Sequence, residues 1–163
     1  MNETVYIETT IPSYLTARPS HDVRILTKQS TTLLWWDNDR HFYDLYISQI
    51  VLNEAMKGNE YAAEKRINAL RGINMLQSTQ EADKMARHIL EVIDVSSKAA
   101  NDALHLALAT VHKMDYILTW NFRHLLNPHN IRELTHLCHR MGFETPIICT
   151  PESILEAKDN GKS

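Results

Sequence analysis

The sequence predicts an α/β fold, a three-layer α/β/α sandwich around a central, mostly parallel sheet, and three observations lead there. Five short apolar runs read as strands: Val5 to Ile7, Leu45 to Ile50, Ile73 to Leu76, Tyr116 to Thr119, and Pro146 to Cys149. Helical patterns separate them, and parallel neighbours need such crossover connections. Only four glycines occur in 163 residues, with no repeat or low-complexity tract, so the loops are short and the chain is one compact unit.

The elements follow in order. The first strand ends on a carboxylate, in "YIETTIPSYL" at residues 6 to 15, where Glu8 is followed by Thr9, Thr10 and a Pro12 that can open a helix. Residues 22 to 37 are apolar at Val23, Ile25, Leu26, Leu33, Leu34 and Trp36. The second strand runs into a short helix carrying Glu54. Residues 60 to 71 carry Ala62, Ala63, Ile67 and Leu70, and residues 80 to 93 carry Ala82, Met85, Ala86, Ile89, Leu90 and Ile93. Ser97 can cap a helix running to about Lys113, and Pro128 to Met141 and Pro151 to Ala157 supply the last two. A single domain over residues 1–157 is expected, with a disordered tail, "KDNGKS", at 158–163.

The hydrophobic fraction of 44% and charged fraction of 23% are those of an ordinary globular protein. The net charge of −3 excludes a chain that attracts nucleic acid over its whole surface, so any such contact is local. Local positive clusters are Lys65-Arg66 with Arg71, which read as a solvated helix face, and Arg123 with His124. No apolar stretch approaches the roughly 20 residues that span a bilayer, and "MNETVYIE" lacks the regions of a signal peptide. No membrane association and a cytoplasmic location are the expectation. Two cysteines, Cys138 and Cys149, make no disulfide framework and read as reduced and structural.

The acids carry the chemistry. In "SSKAANDALHLALATVHK" apolar residues point almost all round the helix, the pattern of an interior helix, yet Asp102 sits in it. A bare buried carboxylate is costly, so Asp102 must be paired, protonated or bound to a cation; Lys98 and the helix start offer the plain pairing. Glu54 falls where its helix presents a face to the sheet's carboxyl edge, with pairing to Lys57 or solvation as the alternatives. Asn121 follows the strand Tyr116 to Thr119 and can also cap the turn into "FRHLL". Glu8, Glu54, Asp102 and Asn121 all fall at strand ends or helix starts, so one sheet topology can bring them to one edge. Three carboxylates and an amide oxygen suit Mg²⁺ or Mn²⁺.

With "YIETTIPSYL", "SQIVLNEAMKG", "NDALHLALA" and "DYILTWNFRHL" in that order from about residue 4 to 150, the sequence resembles a PIN domain, in particular the VapC-type toxins of bacterial toxin–antitoxin systems. The resemblance implies a divalent-metal-dependent ribonuclease. Glu8 stands where the family usually has Asp; Glu54 and Asp102 match its acids; Asn121 stands where many members have another acid. Thr10 and Thr119 match supporting positions. The implied arrangement has Glu8 and Asp102 holding the principal metal, Glu54 completing the site, and Asn121 positioning water. RNA as substrate, a homodimer and a small antitoxin are the implied partners, with residues 22 to 37 and 60 to 71 as candidate groove helices. The departures at Glu8 and Asn121 leave a second reading, a PIN-fold module that binds RNA or a protein partner without cleavage.

Three further features admit competing readings. "RELTHLCHR" places His136, Cys138 and His139 together, as a zinc site or as surface histidines around a core cysteine. His105, three residues after Asp102, reads as a hydrogen-bonded core histidine ahead of a general base. The aromatics Trp35, Trp36, Phe42 and Tyr43 read mostly as core, with a residual patch for a partner.

Overall fold

The computed structural model describes residues 1–93 and 100–161. Five parallel strands, β1 (Glu3–Ile7), β2 (Tyr43–Ser48), β3 (Asn74–Leu76), β4 (Tyr116–Leu118) and β5 (Ile147–Cys149), form one sheet in the order β3-β2-β1-β4-β5. The register sets Val5 against both Leu45 and Tyr116, and Ile7 against Leu118. Val5, Tyr6 and Ile7 are fully buried, as a central strand covered on both faces requires.

Eight α-helices lie among the described residues: α1 (Thr10–Thr16), α2 (Val23–Asn38), α3 (Gln49–Ala55), α4 (Glu60–Leu70), α5 (Gln80–Val92), α6 (Ala100–Val111), α7 (Pro128–Met141) and α8 (Pro151–Asn160). Helices α1, α2, α4 and α8 pack in one group, and α5, α6 and α7 in another. Right-handed crossovers place the two groups on opposite faces, because the chain steps from β1 to β3 in one direction and from β3 to β5 in the other. The three-layer α/β/α sandwich is thus the observed architecture.

Local chemistry explains most boundaries. Asn59, Thr79 and Thr150 cap α4, α5 and α8 by accepting from backbone N–H groups, and Pro128 and Pro151 open α7 and α8. Gly142 closes α7 at φ 78°, the left-handed conformation that only glycine adopts freely. The Ser97 cap and the Lys98 partner read from the sequence lie outside the described residues.

Most strand boundaries shift by one or two residues from the sequence reading, and two shifts bear on the architecture. The second strand stops at Ser48, and Ile50 already belongs to α3, because the polar pair Ser48-Gln49 breaks the apolar run and the residues beyond it, Val51 among them, pack from a helix. Helix α8 continues through Lys158 and Asp159 to Asn160, so the disordered tail does not begin at residue 158. Lys158 is the reason: it pairs with Asp39 and lies 4.0 Å above the Phe42 ring.

Trp35 and Trp36 are core residues, whereas Phe42, Leu33 and Leu34 are exposed. Arg66 is more than a solvated charge: Nε donates to the Ala55 carbonyl at 2.9 Å and an Nη to that of Lys57 at 2.6 Å, clamping the end of α3. No described helix is long and apolar enough to cross a membrane.

Cys138 and Cys149 are buried free thiols, and burial pushes both thiols up, Cys149 to about 12. A raised folded-state pKa means that the folded protein holds the proton longer, so this contribution to stability is present below about pH 8.5 and falls as pH rises above it. Titration with a thiol-reactive disulfide at pH 8 should therefore find no reactive cysteine in the native protein and two in urea. Rapid labelling of either thiol in the native state would show that the core is open at that strand or helix.

Candidate active site

The strand order reverses between β1 and β4, and crevices at such switch points, beyond the carboxyl ends of the strands, are where open α/β sheets bind ligands. Glu8 sits at that point, immediately after β1, and is only 3% exposed. Its Oε1 accepts from Thr10 Oγ1 at 2.5 Å, the Thr10 amide at 3.1 Å and Thr119 Oγ1 at 2.6 Å. The Thr119 bond crosses the crevice from β4. All three donors meet one oxygen, which leaves the lone pairs of Oε2 for another partner.

Even so, burial pushes the Glu8 carboxyl above its usual range, and the nearby His105 charge and the three hydrogen bonds offset this only in part. Thr10 also accepts from the Trp120 amide at 2.8 Å, and Thr119 from the Asn121 amide at 2.9 Å. The two hydroxyls therefore tie the start of α1 to the end of β4 through the carboxylate.

Glu54, in the last turn of α3, is held by a different pair. Thr9 Oγ1 donates to its Oε1 at 2.7 Å, and His105 Nε2 lies 2.6 Å from the same oxygen. Thr9 precedes α1 but makes no capping bond with its hydroxyl, which Glu54 takes instead. Burial raises the Glu54 carboxyl, but the His105 hydrogen bond and charge outweigh it and hold Glu54 below the usual range.

For His105 the balance runs the other way. Burial lowers the imidazole, and the Glu54 hydrogen bond with the charges of Glu8, Glu54 and Asp102 lifts it above its ordinary value. His105 Nδ1 lies 2.6 Å from the Tyr6 hydroxyl, itself 2.8 Å from Ser48 Oγ. Burial pushes the Tyr6 phenol strongly up, so it keeps its proton. With His105 charged, both ring N–H groups donate, to Glu54 and to the Tyr6 oxygen, and Tyr6 donates onward to Ser48. The alternatives read for Glu54 are thereby decided: its carboxylate pairs with His105, not with Lys57.

Asp102 occupies the first turn of α6. Its Oδ1 accepts from Asn121 Nδ2 at 3.2 Å, and its Oδ2 lies 2.8 Å from His124 Nδ1. The Asn121 side-chain oxygen accepts from the His124 amide at 3.1 Å. Asn121 therefore caps the turn after β4 and orients Asp102 in the same act, and both ends of its amide are engaged.

The sequence reading grouped Glu8 with Asp102 as principal metal ligands and gave Asn121 a water. The structure draws the compact cluster differently. Glu8, Glu54 and His105 each present a ligand atom, all within 4.8 Å of one another, while Asp102 sits with Asn121 and His124. Residues Asp102 and His105 are one turn apart on α6; His105 turns toward Tyr6 and Glu54, and the 121–124 turn meets Asp102 first.

The donor chemistry fits a hard cation. Both His105 nitrogens have partners, so the atoms left for an ion are carboxylate oxygens of Glu8 and Glu54, the kind that Mg²⁺ and Mn²⁺ prefer together with waters. A zinc site on α7 does not fit: Cys138 is buried while His136 and His139 are exposed, so the three cannot converge.

Residues 5–141 match the PIN domain family, and the chain belongs to that family. Among solved structures, a chain of VapBC2 from Rickettsia felis, crystallised bound to a DNA fragment from its promoter, superposes with a TM-score of 0.52. It is 13% identical, and the likeness covers 90% of this chain and 98% of that one; it is a likeness of fold. No curated protein matches the sequence.

The sequence draws attention to four of these site residues and the two threonines and reads His105 as a hydrogen-bonded core histidine, which it is, but it gives neither the partners of His105 nor the roles of Thr9 and His124. The i to i+3 spacing of Asp102 and His105 was the one available signal for His105.

Two outcomes follow. In chelator, Glu8→Gln should be no less stable to urea than the parent, because it removes a charge that burial disfavours. It should also lose any melting-temperature gain on adding Mn²⁺, whereas an undiminished gain would place the cation elsewhere. Tyr6→Phe strips the shared partner from Ser48 and His105 and should lower urea stability by about 1–3 kcal/mol.

Proposed function

We propose that this protein is a divalent-metal-dependent ribonuclease that hydrolyses RNA phosphodiester bonds, acting as the toxin of a toxin–antitoxin pair. The observation that carries this reading is the convergence of Glu8 and Glu54 at the switch point, with Asp102 held by Asn121 and His124 one helical turn before His105, the Glu54 partner. PIN domains are generally nucleases, and the residues matched to the family span all four positions.

Glu8 and Glu54 would hold Mg²⁺ or Mn²⁺, which would neutralise phosphate charge and lower the pKa of a water. The chain's own residues prepare the rest. Thr10 and Thr119 fix Glu8, so its free oxygen has one direction. His105 and Thr9 fix Glu54 and keep it ionised. Asp102 retains lone pairs beyond its two bonds and is the acceptor that orients a water toward phosphorus. Asn121 and His124 are positioning residues for Asp102, and no covalent nucleophile is needed.

The structural neighbour is a VapBC assembly, which supports a small antitoxin as partner. Exposed Val23, Leu33 and Leu34 on α2 supply apolar surface for such a partner or for the second copy of a homodimer. A cytoplasmic location accompanies this reading.

The test is cleavage of a mixed structured RNA by the purified protein with Mg²⁺, with Mn²⁺ and with chelator. Metal-dependent cutting is expected, reduced about 100-fold or more in Asp102→Asn and about tenfold in His124→Ala, a residue that acts through Asp102. A folded protein that cuts under none of these conditions would sink the nuclease reading and leave the binding-only module.

A further inference from the structure

Phe122 is a large aromatic side chain left 53% exposed, one residue beyond Asn121. The turn that carries it is fixed. Leu126 donates its amide to the Asn121 carbonyl at 2.9 Å, and the Asn121 side chain accepts from the His124 amide, so Phe122 and Arg123 form the exposed tip between two residues that hold Asp102.

The ring is also backed and charged. It packs against Trp120 with centroids 6.2 Å apart, and Trp120 in turn packs against Tyr14 at 6.0 Å. Trp120 is 6% exposed and anchored by its indole N–H to Thr32 Oγ1 at 2.8 Å. Phe122 is therefore the outer member of a rigid aromatic row. The Lys28 ammonium, from α2, stands 4.9 Å from the Phe122 centroid and 5.8 Å from that of Trp120.

A half-exposed aromatic with a cation over one face, on the turn that holds Asp102, has the two components that bind single-stranded nucleic acid: ring surface for a base and a positive charge for the adjoining phosphate. We propose that Phe122 is a stacking platform for an unpaired RNA base next to the scissile phosphate, with Lys28 contacting the backbone. The inference rests on the ribonuclease reading and assigns to Phe122 and Lys28 the hold on the nucleotide beside the cleaved bond. Stacking on an aromatic plane is tolerant of base identity, so the platform selects strandedness before sequence. A duplex keeps its bases stacked on one another and offers nothing to the ring.

Two measurements test it. Binding of a short labelled single-stranded RNA is followed by fluorescence anisotropy with Mn²⁺ in an Asp102→Asn background, and steady-state cleavage is followed in the otherwise unaltered protein. Phe122→Ala should weaken binding about tenfold and raise KM by a similar factor with kcat within about twofold. Phe122→Trp should restore both, and Phe122→Leu, apolar but without a π-face, should not; duplex RNA should bind all four proteins alike. Phe122 is half in solvent, and thermal melting confirms that each variant is folded.

If cleavage occurs and the alanine and leucine variants bind and cut single strands like the parent, the platform is wrong and the nuclease reading stands, leaving Phe122 to a protein partner. If the parent cuts no RNA, the nuclease reading falls, and the anisotropy series alone decides whether Phe122 stacks on bases.

Discussion

A carboxylate buried at the end of the central strand is the constraint on which the site depends. Glu8 follows three fully buried residues of β1 and lies where two neighbouring crossovers leave in opposite directions. Water cannot solvate it well there, so the protein supplies three donors of its own, two of them from the adjoining turn and one from β4. The same hydroxyls receive the amides of Trp120 and Asn121, so the geometry of the turn after β4 is coupled to the carboxyl group at its centre. Those donors still leave the charged form disfavoured, a deficit that a bound cation is suited to fill.

Around this centre, each of the other two acids has its own histidine. His105 links Glu54 to Tyr6 and Ser48, and so to the interior of β1 and β2; His124 links Asp102 to the turn after β4. The two pairs differ in setting. His105 is fully buried and fixed on both nitrogens, whereas His124 belongs to the turn whose tip is exposed. Glu54 is therefore set by the core of the domain, and Asp102 by a surface turn that a ligand can reach. Arg66 adds a brace to the first arrangement by clamping the end of α3.

Asn121 shows why a single residue can satisfy two readings. Its carbonyl oxygen closes the turn, as asparagine does in many loops, and its amide nitrogen donates to Asp102. An acid at this position would set a second negative charge against Asp102 in place of a donor. The asparagine at this position thus comes with a defined local bonding pattern.

The sequence by itself determined the sandwich, because alternating apolar runs and helical periods leave few ways to bury both faces of a sheet. It also marked Glu8, Glu54, Asp102 and Asn121, since acids and amides at strand ends and helix starts in apolar surroundings demand partners. Spacing along a chain does not say which partner is met. The pairing of Glu54 with His105, the transfer of Asp102 to Asn121 and His124, and the diversion of Thr9 from helix cap to carboxylate donor all join residues 19 to 51 positions apart. Only the crossover geometry and side-chain rotamers decided them, because a hydrogen bond forms over about 3 Å and a shift of one helical turn would have exchanged the partners.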